Sequence, residues 1–190
     1  MIKQALILAG GFGTRLGKLT KDTPKPMLLV NNRPFVEYLV LNLKKYGVNN
    51  IIFSTGYYSK KIINFFGDGS SYGINISYVE EHSPLGTGGA VKNAFLHLDS
   101  EFMVLNGDSL FDINYKILSD LLIVDKNALV SIALRETEDV SRYGSVLTSG
   151  DYVKAFNEKS LNNALGLING GVYIMKKEVL DSFSDGKSSL

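Results

Sequence analysis

Leu8-Ala9-Gly10-Gly11-Phe12-Gly13-Thr14-Arg15-Leu16 follows an apolar run, Ala5-Leu6-Ile7-Leu8, that reads as a buried strand. Shortly after it comes Pro24-Lys25-Pro26. A strand that runs into a glycine-rich turn suits an anion. Glycine lets the backbone turn through positive φ and bring N–H donors close, and Arg15 and Lys25 add mobile positive charge. The competing reading is a tight turn whose glycines only help packing, because an isolated Gly-x-Gly is weak evidence. Leu16 stands where the dinucleotide-binding fingerprint has its third glycine, which argues against an oxidoreductase of that type. No Gly-Lys-Ser/Thr follows at P-loop spacing either.

Outward from this stretch, strands and helices alternate. Apolar residues at Phe35, Leu39, Leu43 and Tyr46 have helical spacing, with Gly47 as a stop. Residues 50–55 read as a strand, 60–66 as a short helix, 74–79 as a strand and 86–98 as a helix opened by glycines. Residues 102–105 read as a buried strand, 115–124 as a helix and 129–134 as a strand. This rhythm predicts a three-layer α/β fold with a mainly parallel sheet. Beyond Arg135, Tyr143-Gly144, 153–156 and 168–175 read as strands of an antiparallel appendage covering the carboxyl edge of that sheet. Ligands of such sheets bind outside the carboxyl ends of the strands, so the first loop and Asp108 are expected to share one pocket.

Composition narrows the chemistry. The chain has 190 residues, enough for one domain with a full core, and its net charge of +1 gives no general nucleic-acid or membrane surface. It has no cysteine and only two histidines, His82 and His97, so thiolate and histidine-rich metal sites are excluded. A hard cation held by carboxylate oxygens remains. No apolar stretch reaches membrane-spanning length, and the chain opens on a strand rather than a leader, so the cytoplasm is the expected location.

Four further motifs could carry chemistry. Asp108 ends an apolar strand through Asn106-Gly107 and can ligate Mg²⁺, or simply cap a turn. Pro84-Leu85-Gly86-Thr87-Gly88-Gly89-Ala90 is a second glycine turn whose N–H groups and Thr87 could grip a ribose or base edge, or let a helix pack closely. Glu158-Lys159 reads as sugar and phosphate recognition, or as an exposed ion pair of little worth. Asn169-Gly170-Gly171 reads as a hydroxyl contact, or as a β-bulge.

In this order, the motifs resemble those of the sugar-1-phosphate nucleotidyltransferases over essentially the whole chain. The resemblance implies a Rossmann-like nucleotide-diphospho-sugar transferase fold (GT-A-like) over residues 1–190. It also implies a reaction that joins a nucleoside triphosphate to a sugar 1-phosphate and releases pyrophosphate, for surface polysaccharide synthesis. By the same resemblance Leu8, Ala9, Gly10 and Gly11 lie against base and ribose, Gly13, Thr14 and Arg15 hold the phosphates, and Lys25 neutralises the α-phosphate. Gly86 and Thr87 border the nucleoside, and Asp108 ligates Mg²⁺. Gly144, Glu158 and Asn169 read the sugar, and Lys159 meets its phosphate. Arg15, Lys25 and Asp108 are the expected catalytic set, and a homodimer is compatible with the resemblance. Family members continue with a further strand bearing a second metal-binding Asp, which these residues lack, so a fragment is expected. Within the family the glycine turn and Asn106-Gly107-Asp108-Ser109 are most similar to heptose 1-phosphate guanylyltransferases, then to mannose-1-phosphate guanylyltransferases. Uridylyl or thymidylyl transfer and a non-catalytic nucleotide-sugar sensor are the alternatives.

Overall fold

The computed structural model describes residues 2–11, 13–141, 143–157 and 165–190, with Thr14, Arg15 and Lys18 described by backbone alone. Its first strand, β1 (Gln4–Ala9), lies between two parallel neighbours, β4 (Asn50–Thr55) and β6 (Glu101–Asn106). β5 (Asn75–Glu80) extends the parallel set beyond β4. Successive side chains of a strand point to opposite faces, and here both faces are covered. Ala5, Ile7 and Ala9 join one buried cluster with α1 (Phe35–Lys45), α2 (Ser59–Phe66) and α4 (Tyr115–Val124). Leu6, with Ile52 and Val104, joins another with Val91 of α3 (Gly86–Asn93) and with Val179 and Leu180 of a 3-10 segment at 177–182. Burial on both faces is why these strands are almost continuously apolar, and the three layers follow from it.

The antiparallel strands expected beyond Arg135 are present, but they do not fold over the end of the sheet. They extend it edge to edge into one eight-stranded sheet among the described residues. The long strand β10 (Gly166–Lys176) makes the join. Its residues 172–176 pair with β6 and residues 167–168 with β8 (Ser145–Ser149), while β7 (Val130–Thr137) pairs with both halves, at 166–169 and 173–175. β9 (Tyr152–Asn157) closes a hairpin with β8. A register shift between Asn169 and Tyr173, with Gly171 at φ 73°, bends β10 so that its two halves can serve different neighbours. Tyr143-Gly144 stands ahead of β8 rather than within a strand, and the space beside Gly144 is taken by the Asn157 carbonyl at 2.7 Å.

Three details depart from the sequence pattern. Residues 86–98 form α3 and then a separate 3-10 turn at 95–97. β2 (Leu29–Val30) and β3 (Arg33–Pro34) form a small separate hairpin through the left-handed pair Asn31-Asn32. The sequence offers Asp181 and Asp185 as helix-surface positions; both are exposed, but one stands on the 3-10 turn at 177–182 and the other in the segment after it. Among the described residues no helix is long and apolar enough to cross a membrane.

Candidate active site

The register places the carboxyl ends of three strands side by side, pairing Leu8 with Asn106 and Ala9 with Thr55. The loops that leave them are packed backbone to backbone. The Gly107 N–H donates to the Leu8 carbonyl at 2.9 Å, and a Cβ on Gly107 would stand 2.6 Å from that oxygen. A Cβ on Gly56, just past β4, would stand 2.9 Å from the Gly10 carbonyl. The first loop does not open an α-helix. It continues as a 3-10 segment, Thr14–Thr20, kinked at Gly17.

Of the loop's glycines, only Gly13 uses the left-handed region, at φ 63°. The Thr20 hydroxyl donates to its carbonyl at 3.0 Å, and Lys25 Cβ lies 3.2 Å from where a side chain on Gly13 would begin. Lys25 starts a 3-10 turn between two buried prolines, Pro24 and Pro26. Its Nζ reaches Asp108 Oδ2 at 2.6 Å, with both side chains more than a third exposed, at 38% and 39%. An ion pair that open contributes about 0–1 kcal/mol. Its significance is therefore one of placement: the glycine loop, Lys25 and Asp108, far apart in the chain, meet at one end of the sheet.

A residue that sequence reasoning passed over completes this edge. The Glu81 carboxylate fills the space a side chain on Gly10 would need. Its Oε1 accepts the Ser54 hydroxyl at 2.9 Å, and its Oε2 accepts the Leu85 N–H at 3.4 Å. Burial raises its carboxyl above the ordinary range, while those two hydrogen bonds pull the other way. The available signal was positional: Glu81 stands just past the end of a parallel strand, as Asp108 does. His82, beside it, is exposed.

Other expected contacts are already engaged within the chain. The second glycine turn is covered by residues 186–190. The Ser188 carbonyl accepts the N–H groups of Gly88 at 3.0 Å and Gly89 at 3.4 Å, and the Thr87 hydroxyl accepts the Leu190 N–H at 2.8 Å. The space beside Gly86 is filled by the Ser188 carbonyl. Asn169 turns back on its own strand: its amide donates to the Tyr173 hydroxyl at 2.5 Å, and its Oδ1 accepts the Gly171 N–H at 2.8 Å. Gly170 and Gly171 make room for Phe111 and Asn106, so the bulge reading describes this segment. It still lies at the Asp108 end, beside Asn106. Gly144 is exposed and lies against Asn157, one residue before Glu158. Glu158 and Lys159 themselves, and the side chains of Thr14 and Arg15, lie outside the described residues.

The nucleotidyl transferase family model matches residues 4–189. The chain belongs to the sugar-1-phosphate nucleotidyltransferase family. It is 41% identical over 182 residues to a D-glycero-alpha-D-manno-heptose 1-phosphate guanylyltransferase of Campylobacter jejuni, covering 95% of this chain and 79% of that protein. It is 37% identical over 185 residues to a mannose-1-phosphate guanylyltransferase of Mycobacterium tuberculosis, covering 96% of this chain and 51% of that one. The crystal structure of HddC from Yersinia pseudotuberculosis complexed with GMP-PN superposes with a TM-score of 0.86 at 35% identity, covering 99% of this chain and 83% of that one.

As a nucleotidyltransferase the chain acts on a nucleoside triphosphate and a sugar 1-phosphate, forming a nucleotide-sugar and pyrophosphate. The site's geometry suits that chemistry. Two anions must be brought together, and a phosphate monoester, with a second pKa of about 6, is already ionised at neutral pH. Neutralisation and alignment therefore do the work, and no general base is needed.

Proposed function

We propose that this nucleotidyltransferase is a guanylyltransferase that uses GTP and a heptose 1-phosphate. Support for the base comes from Glu81. A carboxylate repels phosphate, so this end of the site suits the base rather than the triphosphate. Three inter-strand steps separate β5 from β6, roughly 14 Å, a span that suits a nucleotide with its phosphates at Lys25 and its base at Glu81. Guanine presents two adjacent N–H donors on its Watson–Crick edge. Adenine, cytosine, uracil and thymine each place an acceptor beside a donor. A carboxylate with unfilled lone pairs accepts both guanine donors and is opposed by the acceptors of the others. Support for the sugar comes from the Campylobacter relative, which is more similar than the mannose enzyme and is covered over more of its length.

In this reading an oxygen of the sugar phosphate attacks the α-phosphorus in line, and pyrophosphate leaves. Lys25, held by Asp108 beforehand, neutralises the α-phosphate, and the Gly13 loop receives the β- and γ-phosphates. Mg²⁺ suits the hard oxygens at the tip of β6. Asp108 would hold it with the substrate phosphates, and among the described residues the buried Asn106 Oδ1 beside it has no hydrogen-bond partner. The ion would spread the charge of the triphosphate.

The test is a matrix of initial rates of pyrophosphate release, five nucleoside triphosphates against heptose, mannose and glucose 1-phosphates. GTP with the heptose substrate is expected to lead. Glu81→Gln should lower kcat/KM for GTP by about 10- to 100-fold, the loss of a charged hydrogen-bonding partner. Lys25→Ala should cost about 100- to 1,000-fold with any nucleotide. A pyrimidine triphosphate leading the matrix would refute the guanine assignment.

A further inference from the structure

Tyr58 stands in the left-handed region at φ 62° and ψ 30°, where a bulky residue is rare, and it carries no cap hydrogen bond for the helix it precedes. Such a conformation persists where the surroundings impose it, and it clusters at functional sites. Here the surroundings are visible. The Tyr58 hydroxyl donates to the Lys21 carbonyl at 2.8 Å and accepts from the Tyr57 hydroxyl at 3.1 Å. One helical turn on, Lys61 Nζ donates to the Thr23 hydroxyl at 3.2 Å and lies 5.7 Å from the centre of the Tyr58 ring. The start of α2 therefore grips both ends of the segment 21–23. That segment leads through buried Pro24, with φ fixed near −63°, straight into Lys25. Hydrogen bonding with Tyr57, burial and the nearby Asp22 carboxylate push the Tyr58 phenol up to about 12, so it remains a donor at neutral pH.

We propose that Tyr58 is a positioning residue for Lys25: its hydroxyl tethers the 21–23 segment so that the Lys25 ammonium is delivered to the mouth of the Gly13 loop. The left-handed backbone is what this grip requires. β4 ends at Thr55, Gly56 packs on Gly10, and the chain has two residues in which to reach α2 and present a phenol toward Lys21. Lys25 is then fixed at three points: the contact with Gly13, the pair with Asp108 and the strap from α2. The proposal rests on the reading of Lys25 as the group that neutralises the α-phosphate.

The experiment is a double-mutant cycle on steady-state turnover, using Tyr58→Phe, Lys25→Ala and the pair. Tyr58→Phe removes one oxygen and keeps the ring. It should lower kcat by about 10-fold, since a misplacement of about 1 Å can cost up to about 100-fold, with KM for the nucleotide changed less than about twofold. In the Lys25→Ala background the same substitution should have no further effect, because its target is gone. Tyr58→Gly relieves the backbone and also removes the tether, so it should lose at least as much kcat while the thermal midpoint does not fall. Wild-type kcat in Tyr58→Phe with an impaired Lys25→Ala would overturn the tether alone. An equal loss from Tyr58→Phe in both backgrounds would show that Tyr58 does not act through Lys25. Unchanged turnover in Lys25→Ala would remove the reading beneath the proposal, and the proposal with it.

Discussion

The two halves of the one sheet use their sequence differently. In the parallel half, β4 and β6 are buried along nearly their whole length on both faces, and each ends in a loop that feeds the site. In the antiparallel half, β8 and β9 are largely exposed, with Leu147, Tyr152 and Phe156 each more than half accessible. The glycines differ as well. Gly56 and Gly107 let strand-end loops close on one another beside Lys25 and Asp108, whereas Gly170 and Gly171 let one strand bend past Phe111 and Asn106. Stability is thus concentrated where both faces are covered, and the chemistry stands at the tips of those same strands. The antiparallel half contributes shape along the other edge.

The sharpest way to break this contrast is to truncate one aromatic ring in each half. Phe53 of β4 is fully buried and stacked against Phe66, with ring centres 5.2 Å apart. Phe53→Ala should cost about 3–5 kcal/mol in denaturant unfolding. Phe156 of β9 is 55% exposed, and Phe156→Ala should stay within about 0.5 kcal/mol. Comparable losses would mean that the antiparallel face is covered by something that stabilises the chain as much as its core does.

The same contrast explains what could be read from sequence. Residues 50–55 and 115–124 matched their elements end to end, because a doubly buried strand leaves a short continuous apolar run and a helix with one apolar face leaves a periodic one. The convergence of the first glycine loop and Asp108 on one pole follows from strand direction, since both leave the carboxyl ends of neighbouring parallel strands. Illegible features depend on contacts between distant segments. Nothing local in Gly86–Gly89 tells that residues 186–190 will lie over it. Glu81 reads as one more surface acid until Gly10 is packed against it. The β2–β3 hairpin offers two residues per strand, too few for alternation, although Asn31-Asn32 between them is a turn pair that accepts positive φ. The path of β10 was hidden for the same reason: one strand with two sets of partners has no single register to print in its sequence.

A middle-sized effect separates the two uses of glycine. At Gly171 the left-handed φ of 73° and Asn106 Nδ2, 2.7 Å from a would-be Cβ, oppose any side chain. Gly171→Ala should cost about 1–3 kcal/mol. Gly11 has neither obstacle: its φ is not left-handed, and no described atom outside its chain neighbours lies within 4 Å of where a Cβ would stand. Gly11→Ala should leave the unfolding midpoint in place and lower turnover, since the open space beside it faces the proposed nucleotide. A stability loss at Gly11 larger than at Gly171 would reverse the assignment of roles.

The smallest effect sits at Glu81 and has a definite sign. Burial raises the folded carboxyl's pKa above its unfolded value, against the pull of Ser54 and Leu85. The folded state therefore holds the proton more tightly, and the stability this provides is complete below the unfolded pKa. It is lost as pH rises through the folded pKa, above which the ionised carboxylate opposes folding. Glu81→Gln keeps the shape and removes the titration. In urea melts the variant should match wild type at acid pH and be the more stable of the two once the folded carboxyl has ionised. Its guanine selectivity should fall under those same conditions. A carboxylate retained at a cost to folding, where it also reads the base, ties the parallel half's stability to its chemistry. A variant less stable than wild type at neutral pH would show that Glu81 serves the fold instead, through Ser54 and Leu85.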